Sequence, residues 1–293
     1  METIRNPAVA GQFYDSRKNE LEENIKNCFL DKRGPGELPV IQKGSKKITG
    51  IIVPHAGYIY SGAIAAHSYN QICKNGFAET FIILGPNHTG IGSEIAVMTN
   101  GKWKTPIGEI PINKEIAEQI NKDIIIKDEN AHKYEHSIEI QLPFLQFCAN
   151  KKEFDFVPIS MTLQDYESSK KVGDILNEVI NKSNKKIIII ASTDFSHVGF
   201  NYSTMPPAGM NVNEYAKKQD MHAIKEIVDM QPKRLVQTVQ NKNITMCGYG
   251  PVTSMLTASI KLGSKTSELL KYGTSYDVHP SNSCVGYAAA MIY

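Results

Sequence analysis

Three histidines stand a few residues after short apolar runs that are too brief to form helices. The runs and their histidines are 48–53 with His55, 81–84 with His88, and 187–191 with His197. A neutral imidazole binds transition metals, and it also accepts and donates protons near neutral pH. The three histidines therefore predict a site for metal binding, for proton transfer, or for both.

Two imidazoles and one anionic ligand can hold a divalent metal ion while leaving coordination positions open, and His55 and His88 are the predicted pair. A carboxylate as third ligand favours non-haem Fe(II), whereas a thiolate favours zinc or copper, or iron in a softer site. Near a helix N-terminus, as at Cys247, the helix dipole favours a thiolate. The alternatives are that Cys247 is a packed thiol and that Asp194 only caps a turn. The candidates for the anionic ligand are Asp194, Glu135, Glu139 and Cys247.

Two further pairs of side chains are of the chemical types that act as general acids or bases. His197 follows Asp194 by three residues, so both can face the same crevice, with the carboxylate orienting the imidazole. Glu135 and His136 lie in a polar cluster, residues 132–139, ahead of an apolar helix. They can supply a second acid or base, or they can serve only in helix capping and surface solvation.

The elements around these residues predict an α/β fold. The run 48–53 stops at Pro54, which cannot extend a sheet, so it predicts a buried strand that ends in a turn. A strand at 154–159, a helix at 165–181 and a strand at 187–191 form a crossover unit. Ligands of such sheets bind beyond the carboxyl ends of parallel strands. We expect one domain over 1–293, with a mostly parallel or mixed central sheet flanked by helices.

Three local features are also predicted. Asp15 or Ser16 is expected to cap the first helix, and Ser61 the helix that follows His55. Residues 199–211 contain two prolines and two glycines without periodicity, so they predict a loop that can act as a lid. The histidines left outside the site are His67, His132, His222 and His279.

Composition excludes several classes of function. The net charge is only +2 and the lysines are scattered, which argues against nucleic-acid binding. The chain has neither an apolar stretch of the ~20 residues that a membrane helix needs nor a secretion signal, so a cytoplasmic location is expected. Five widely spaced cysteines argue against a disulfide framework. Nucleotide-binding glycine loops and a GxSxG serine elbow are absent, whereas a Cys/His hydrolase remains an alternative.

Six motifs, taken in order, resemble the Memo family, and the likeness runs from about residue 5 to the C-terminus. The resemblance implies a fold like that of the class III extradiol dioxygenases, which are non-haem iron enzymes. It also implies metal ligands at His55, His88 and Cys247 and further pocket residues at Asp194 and His197. The motifs are RNPAVAGQFY, IIVPHAGYIYSG, ILGPNH, EHSIEIQLPFLQ, STDFSH and MCGYGP.

The resemblance has functional implications as well. It implies Fe(II) as the metal, with copper or zinc as alternatives, and oxidative chemistry on a small molecule. Cys247 stands where the dioxygenases have a glutamate ligand, which argues against ring cleavage because a thiolate changes the potential of the iron. Prokaryotic relatives imply AMMECR1-like and radical SAM proteins as partners. The alternative function is a catalytically inactive module that binds a peptide or a small ligand.

Overall fold

A computed structural model describes residues 3–293 of the protein. Its strands are β1 (Ile4–Arg5), β2 (Gly50–Val53), β3 (Thr80–Pro86), β4 (Ile95–Val97), β5 (Lys102–Lys104), β6 (Glu109–Pro111), β7 (Ile126–Lys127), β8 (Asp155–Met161), β9 (Ile187–Ser192), β10 (His197–Gly199), β11 (Ser267–Thr274) and β12 (Ser283–Ile292). Its α-helices are α1 (Lys18–Leu30), α2 (Tyr58–Lys74), α3 (Lys114–Ile120), α4 (Leu142–Ala149), α5 (Tyr166–Lys182), α6 (Val212–Val228), α7 (Pro232–Asn241) and α8 (Tyr249–Lys261). Short 3₁₀ helices cover Asn130–His132, Glu139–Gln141, Phe200–Tyr202 and Ser275–Asp277.

The large sheet is mixed, and its centre is parallel. Its strand order is β10-β12-β2-β9-β3-β8-β4-β7, with β11 on the far side of β12. Strands β2, β9, β3 and β8 run parallel, whereas β12 and β4 are antiparallel to their neighbours β2 and β8. Ile190 of β9 pairs with Ile51 of β2 on one side and with Ile83 of β3 on the other. The three strands that precede His55, His88 and His197 are therefore adjacent, and their carboxyl ends meet at one edge.

Helices cover the sheet, which explains why its central strands are apolar throughout instead of alternating. All six residues of β9 are buried, as expected for a strand with both faces covered. Helix α8 packs on β9, and α5 packs on α8. A Cβ at Gly173 of α5 would lie 2.6 Å from the carbonyl oxygen of Ser254 on α8, so glycine permits this close approach. The predicted single-domain α/β fold with a mixed, helix-flanked sheet is confirmed.

The predicted helix caps at Asp15 or Ser16 and at Ser61 are wrong. Helix α1 begins after Arg17, and the Asp15 carboxylate instead accepts a hydrogen bond from the Asn24 side chain. Helix α2 begins one turn earlier than predicted, after Gly57. The Ser61 hydroxyl donates back to the carbonyl oxygen of Ala56. At the start of α2 the backbone N–H of Tyr58 donates to the carbonyl oxygen of Phe13 at 2.9 Å, so a tertiary contact and not a capping side chain satisfies this group.

The N-terminal segment packs against the polar cluster at 132–139. The Arg5 side chain is buried and forms an ion pair with Glu139. It also donates to the carbonyl oxygens of His132 at 3.1 Å and Glu135 at 2.6 Å. The N-terminal segment is thus part of the domain.

His132 is fully buried beside Trp103, with ring centroids 5.8 Å apart. Burial and the nearby Arg5 charge lower the pKa of His132 from 6.5 to about 3. Below pH 6.5 the unfolded chain therefore binds a proton that the folded protein does not, so this contribution to stability falls as the pH falls toward 3. We expect His132→Leu to reduce the loss of stability between pH 7 and pH 5 by about 2 kcal/mol.

Urea denaturation at the two pH values measures this difference. His222→Leu, at a partly exposed position of α6, is the control for the loss of a histidine side chain. His55 and His136 also have lowered pKa values and remain in all three proteins, so only the difference between proteins reports on His132. An equal pH dependence in wild type and His132→Leu would contradict the prediction.

The five cysteines were not expected to form a disulfide framework. All five are free, and all but Cys247 are buried. Within residues 3–293, no helix has both the length and the apolar composition that crossing a bilayer requires.

Candidate metal centre

His55, His88 and Cys247 converge at the carboxyl-terminal edge of the parallel strands. Each offers one ligand atom, and these three atoms lie within 4.8 Å of one another. The Nε2 atom of His55 is 3.2 Å from the sulfur of Cys247. The rings of His55 and His88 meet edge to face, with centroids 5.2 Å apart. The structure thus brings together the three residues that the resemblance implied as ligands.

His55 is held in a buried turn after β2. Its Nδ1 lies 2.8 Å from the hydroxyl oxygen of Ser192, and its backbone N–H donates to a carboxylate oxygen of Asp194 at 2.8 Å. Burial lowers the pKa of His55 well below its usual value, and the charges of neighbouring histidines lower it further. The ring is therefore neutral at physiological pH, as a metal ligand must be.

His88 is oriented by the buried carboxylate of Glu135. The Nδ1–H of His88 donates to Glu135 at 3.0 Å, and the backbone N–H of His88 donates to the other oxygen. Burial alone would raise the pKa of Glu135, but the hydrogen bond and charges of His88 and His136 outweigh it and lower the pKa to about 2. Metal-binding histidines almost always donate their other N–H in this way, commonly to a carboxylate. Nε2 of His88 therefore remains free of this support and available to the cluster of His55, His88 and Cys247.

Cys247 lies two residues before α8. Its sulfur accepts a hydrogen bond from the backbone N–H of Asp194 at 3.2 Å. The expectation that the helix dipole favours a thiolate here is wrong for the metal-free protein. Burial raises the pKa of the Cys247 thiol, the negative charge of Asp194 raises it further, and these effects outweigh the N–H donor. A cation at this point would be needed to favour the thiolate.

Asp194 and His197 both line the cavity in front of the cluster. The Nδ1–H of His197 donates to the carbonyl oxygens of Phe195 at 2.9 Å and Thr245 at 3.0 Å, so Nε2 is its basic nitrogen. The ring is therefore oriented by backbone carbonyls and not, as predicted, by the Asp194 carboxylate. Burial raises the pKa of Asp194, while the His197 charge and the N–H of His55 partly offset it.

His136 stacks on His88 with ring centroids 4.7 Å apart. A second group of potential ligand atoms joins His88, Glu135 and His136. One oxygen of Glu135 already accepts hydrogen bonds from the His88 ring and from the backbone N–H groups of His136 and Ser137, so this carboxylate has partners without a metal ion. Glu135 is 1% exposed, so the alternative of surface solvation is wrong for this residue.

Glu139 is not in the cluster. Its carboxylate is occupied by Arg5, by the hydroxyl of Tyr14 and by the backbone N–H groups of Ala8 and Val9. Of the four anionic candidates, it is the one committed to anchoring the N-terminal segment.

His55 and His88, but not Cys247, line a cavity of about 430 Å³. The sequence did not single out several residues that line it, among them His279, which was expected to lie outside the site. His279 follows the 3₁₀ helix between β11 and β12, and only the pairing of these strands brings it to the cavity. No local pattern indicates that placement. Further lining residues include Phe13, Tyr60, Asn201, Tyr202, Ser275 and Tyr287.

The three remaining histidines, His67, His132 and His222, do not line this cavity. His67 is on α2, where Nε2 lies 2.9 Å from the carbonyl oxygen of Arg33. His222 is on α6, and His132 is buried beside Trp103. The loop that begins at residue 199 does border the cavity through Asn201 and Tyr202. Its action as a lid stays a prediction.

Comparisons with known proteins identify relatives over nearly the whole chain. The chain is 49% identical to a MEMO1 family protein of Methanococcus maripaludis, over 98% of this chain and 99% of that protein. It is 44% identical to one of Methanocaldococcus jannaschii, with full coverage of both chains. Among solved structures, the uncharacterised protein JW3007 of Escherichia coli K12 shares the fold, with a TM-score of 0.52 and 11% identity over 82% of this chain and 99% of that chain. The family model described as Memo-like protein matches residues 5–291, and the chain belongs to the Memo family.

Proposed function

We propose that the protein is a metal-dependent oxidoreductase or dioxygenase-like protein that binds iron or copper through His55, His88 and Cys247. The observation that carries this proposal is the convergence of the three ligand atoms within 4.8 Å. The chemistry of the donors fits a metal ion. Nδ1 of each imidazole is hydrogen-bonded to a protein oxygen, and Nε2 of each remains available for coordination. Two nitrogens and one sulfur suit iron, copper and zinc, and Fe(II) is the ion that the family resemblance favours.

Side chains around the ligands are suited to bind and deprotonate a small molecule. When bound, the ion would supply a Lewis acid and a redox centre for a substrate in the cavity. His197, with Nε2 as its basic nitrogen, would accept a proton from that substrate. Asp194 can hold a proton more readily than an ordinary aspartate because burial raises its pKa. Glu135 and His136 are the other two candidate acid or base residues. Glu135 would orient the ring of His88, whereas His136 lines the cavity.

Metal analysis of purified protein tests the proposal. We expect one iron or copper ion per chain in the wild type and at least about tenfold less in His55→Ala, His88→Ala and Cys247→Ala. His67→Ala is the matched control, because His67 is a histidine on α2 outside the cluster, and it should retain wild-type metal content. Equally negligible metal in all five proteins after anaerobic loading with Fe(II) would contradict the proposal.

A second candidate is a binding module without catalysis, which recognises a peptide or a small ligand in the same cavity. The presence of Tyr60, Tyr202 and Tyr287 in the lining favours it, because these side chains can bind a ligand without an ion. A ligand of such a module should bind metal-free and metal-loaded protein equally well. Strict dependence of binding on the metal would favour the first candidate. A cytoplasmic location and AMMECR1-like or radical SAM partners stay predictions.

A further inference from the structure

Ser192, the last residue of β9, makes three hydrogen bonds through a single buried hydroxyl group. Its oxygen lies 2.7 Å from the carbonyl oxygen of Ser137, 2.9 Å from the side-chain nitrogen of Gln141 and 2.8 Å from Nδ1 of His55. A hydroxyl group has one hydrogen to donate and two lone pairs that accept. The identity of each partner therefore decides the direction of each bond.

The donor and acceptor roles follow from partners that can act in only one way. The carbonyl of Ser137 can only accept, so Ser192 donates to it. The amide orientation of Gln141 is fixed independently, since its nitrogen donates to the carbonyl of Pro54 at 3.0 Å and its oxygen accepts from Tyr69 at 2.6 Å. Gln141 thus donates to Ser192. One lone pair of Ser192 remains, and only a hydrogen on Nδ1 of His55 can use it.

We propose that Ser192 is a positioning residue that fixes His55 as the Nδ1–H tautomer and so directs the Nε2 lone pair toward Cys247. The tautomer itself is a property of the metal-free protein. Its role in coordination rests on the proposed function. Without Ser192, the ring can carry its hydrogen on Nε2 and donate to the sulfur, which is 3.2 Å away. In that tautomer the nitrogen facing the cluster is no longer a ligand.

His55 and His88 are supported in chemically different ways. Nδ1 of His55 meets a neutral hydroxyl, whereas Nδ1 of His88 meets the carboxylate of Glu135 at 3.0 Å. A hydrogen bond to a carboxylate is about twice as strong as one between neutral groups, and it increases the basicity of the ring. Glu135 therefore strengthens one ligand, whereas Ser192 only selects the tautomer and orientation of the other.

Nitrogen-15 NMR of histidine-labelled, metal-free protein at pH 8 tests the proposal directly. Two-bond proton–nitrogen correlations distinguish the two tautomers of a neutral imidazole. We expect one tautomer for His55 in the wild type, with the hydrogen on Nδ1. In Ser192→Ala we expect a population with the hydrogen on Nε2, and in Ser192→Thr, which retains a hydroxyl, a return to the wild-type pattern.

Ser160→Ala is the matched control, because Ser160 is a fully buried serine on β8 whose hydroxyl has no hydrogen-bond partner among residues 3–293. It should leave the His55 tautomer unchanged. A wild-type spectrum with the hydrogen on Nε2, or a folded Ser192→Ala variant with an unchanged tautomer, would overturn the proposal. The wild-type spectrum decides the matter even if Ser192→Ala fails to fold.

Zinc titration separates this proposal from the proposed function. We expect Ser192→Ala to bind Zn(II) about 10- to 100-fold more weakly than the wild type, and Ser160→Ala to bind it equally well. A wild type with the expected tautomer that binds no zinc, iron or copper would refute the metal site but leave intact the inference that Ser192 sets the His55 tautomer. A wild type that binds metal while His55 carries its hydrogen on Nε2 in the metal-free state would refute the positioning role alone.

Discussion

Replacing Arg5 with methionine is expected to lower the free energy of unfolding by about 3 to 5 kcal/mol. The Arg5 side chain is 5% exposed and that of its partner Glu139 is fully buried. Removal of the guanidinium leaves a buried carboxylate whose other partners, the Tyr14 hydroxyl and the N–H groups of Ala8 and Val9, are neutral donors. An uncompensated buried charge costs far more than the loss of contact area, because methionine retains much of the apolar stem.

Urea denaturation at neutral pH measures this loss. The control is Arg17→Met, since Arg17 forms an ion pair with Glu20 in which the two side chains are 78% and 41% exposed. Such surface pairs contribute at most about 1 kcal/mol, so the control should stay close to the wild type. If Arg5→Met and Arg17→Met had the same stability, the Arg5–Glu139 pair would not anchor the N-terminal segment.

Gly286→Ala is expected to lower the free energy of unfolding by about 3 to 5 kcal/mol, through overpacking and lost hydrogen bonds. A Cβ at Gly286 would lie 1.8 Å from a carboxylate oxygen of Asp220. That carboxylate is buried and accepts from the N–H of Ser196 and the hydroxyl of Tyr272, both at 2.8 Å. It cannot move without breaking bonds that hold the turn leading to His197. The substitution should therefore also disturb the candidate site.

Gly273→Ala, in the adjacent strand β11, is the control. Its Cβ would meet the terminal carbon of Ile64 at 3.0 Å, and the end of a flexible side chain can shift by a few tenths of an ångström. We expect a loss below about 1.5 kcal/mol for this variant in the same urea assay. A loss for Gly286→Ala no greater than that of Gly273→Ala would show that Asp220 can rearrange freely.

The sequence was sufficient to predict the strands that end at the site. Their apolar runs are continuous because both faces of the parallel strands are buried, and Pro54 and Gly85-Pro86 mark where two of the runs end. His55 and His88 converge because β2 and β3 lie parallel on the two sides of β9. The third ligand did not follow from the residues alone, since Cys247 reaches the cluster from the start of α8, and the family resemblance supplied it.

The remaining parts of the site depend on contacts between distant segments. In the sequence, Ser192 is recognisable only as the end of an apolar run. The pairing of β9 with β2, which places Ser192 opposite Val53, is needed to infer its contact with His55. His279 reaches the cavity through the β11–β12 pairing. The thiolate expected at Cys247 did not take account of burial, which raises the pKa of the thiol and which no local pattern shows.

An anomalous-difference map from crystals of the iron-loaded protein, recorded at the iron absorption edge, tests the metal centre most directly. We predict a single strong peak about 2.0 to 2.3 Å from His55 Nε2, His88 Nε2 and Cys247 Sγ, the usual range for nitrogen and sulfur ligands. A peak between Glu135 and His136 instead, or no peak at the His55–His88–Cys247 cluster in fully loaded crystals, would contradict the account.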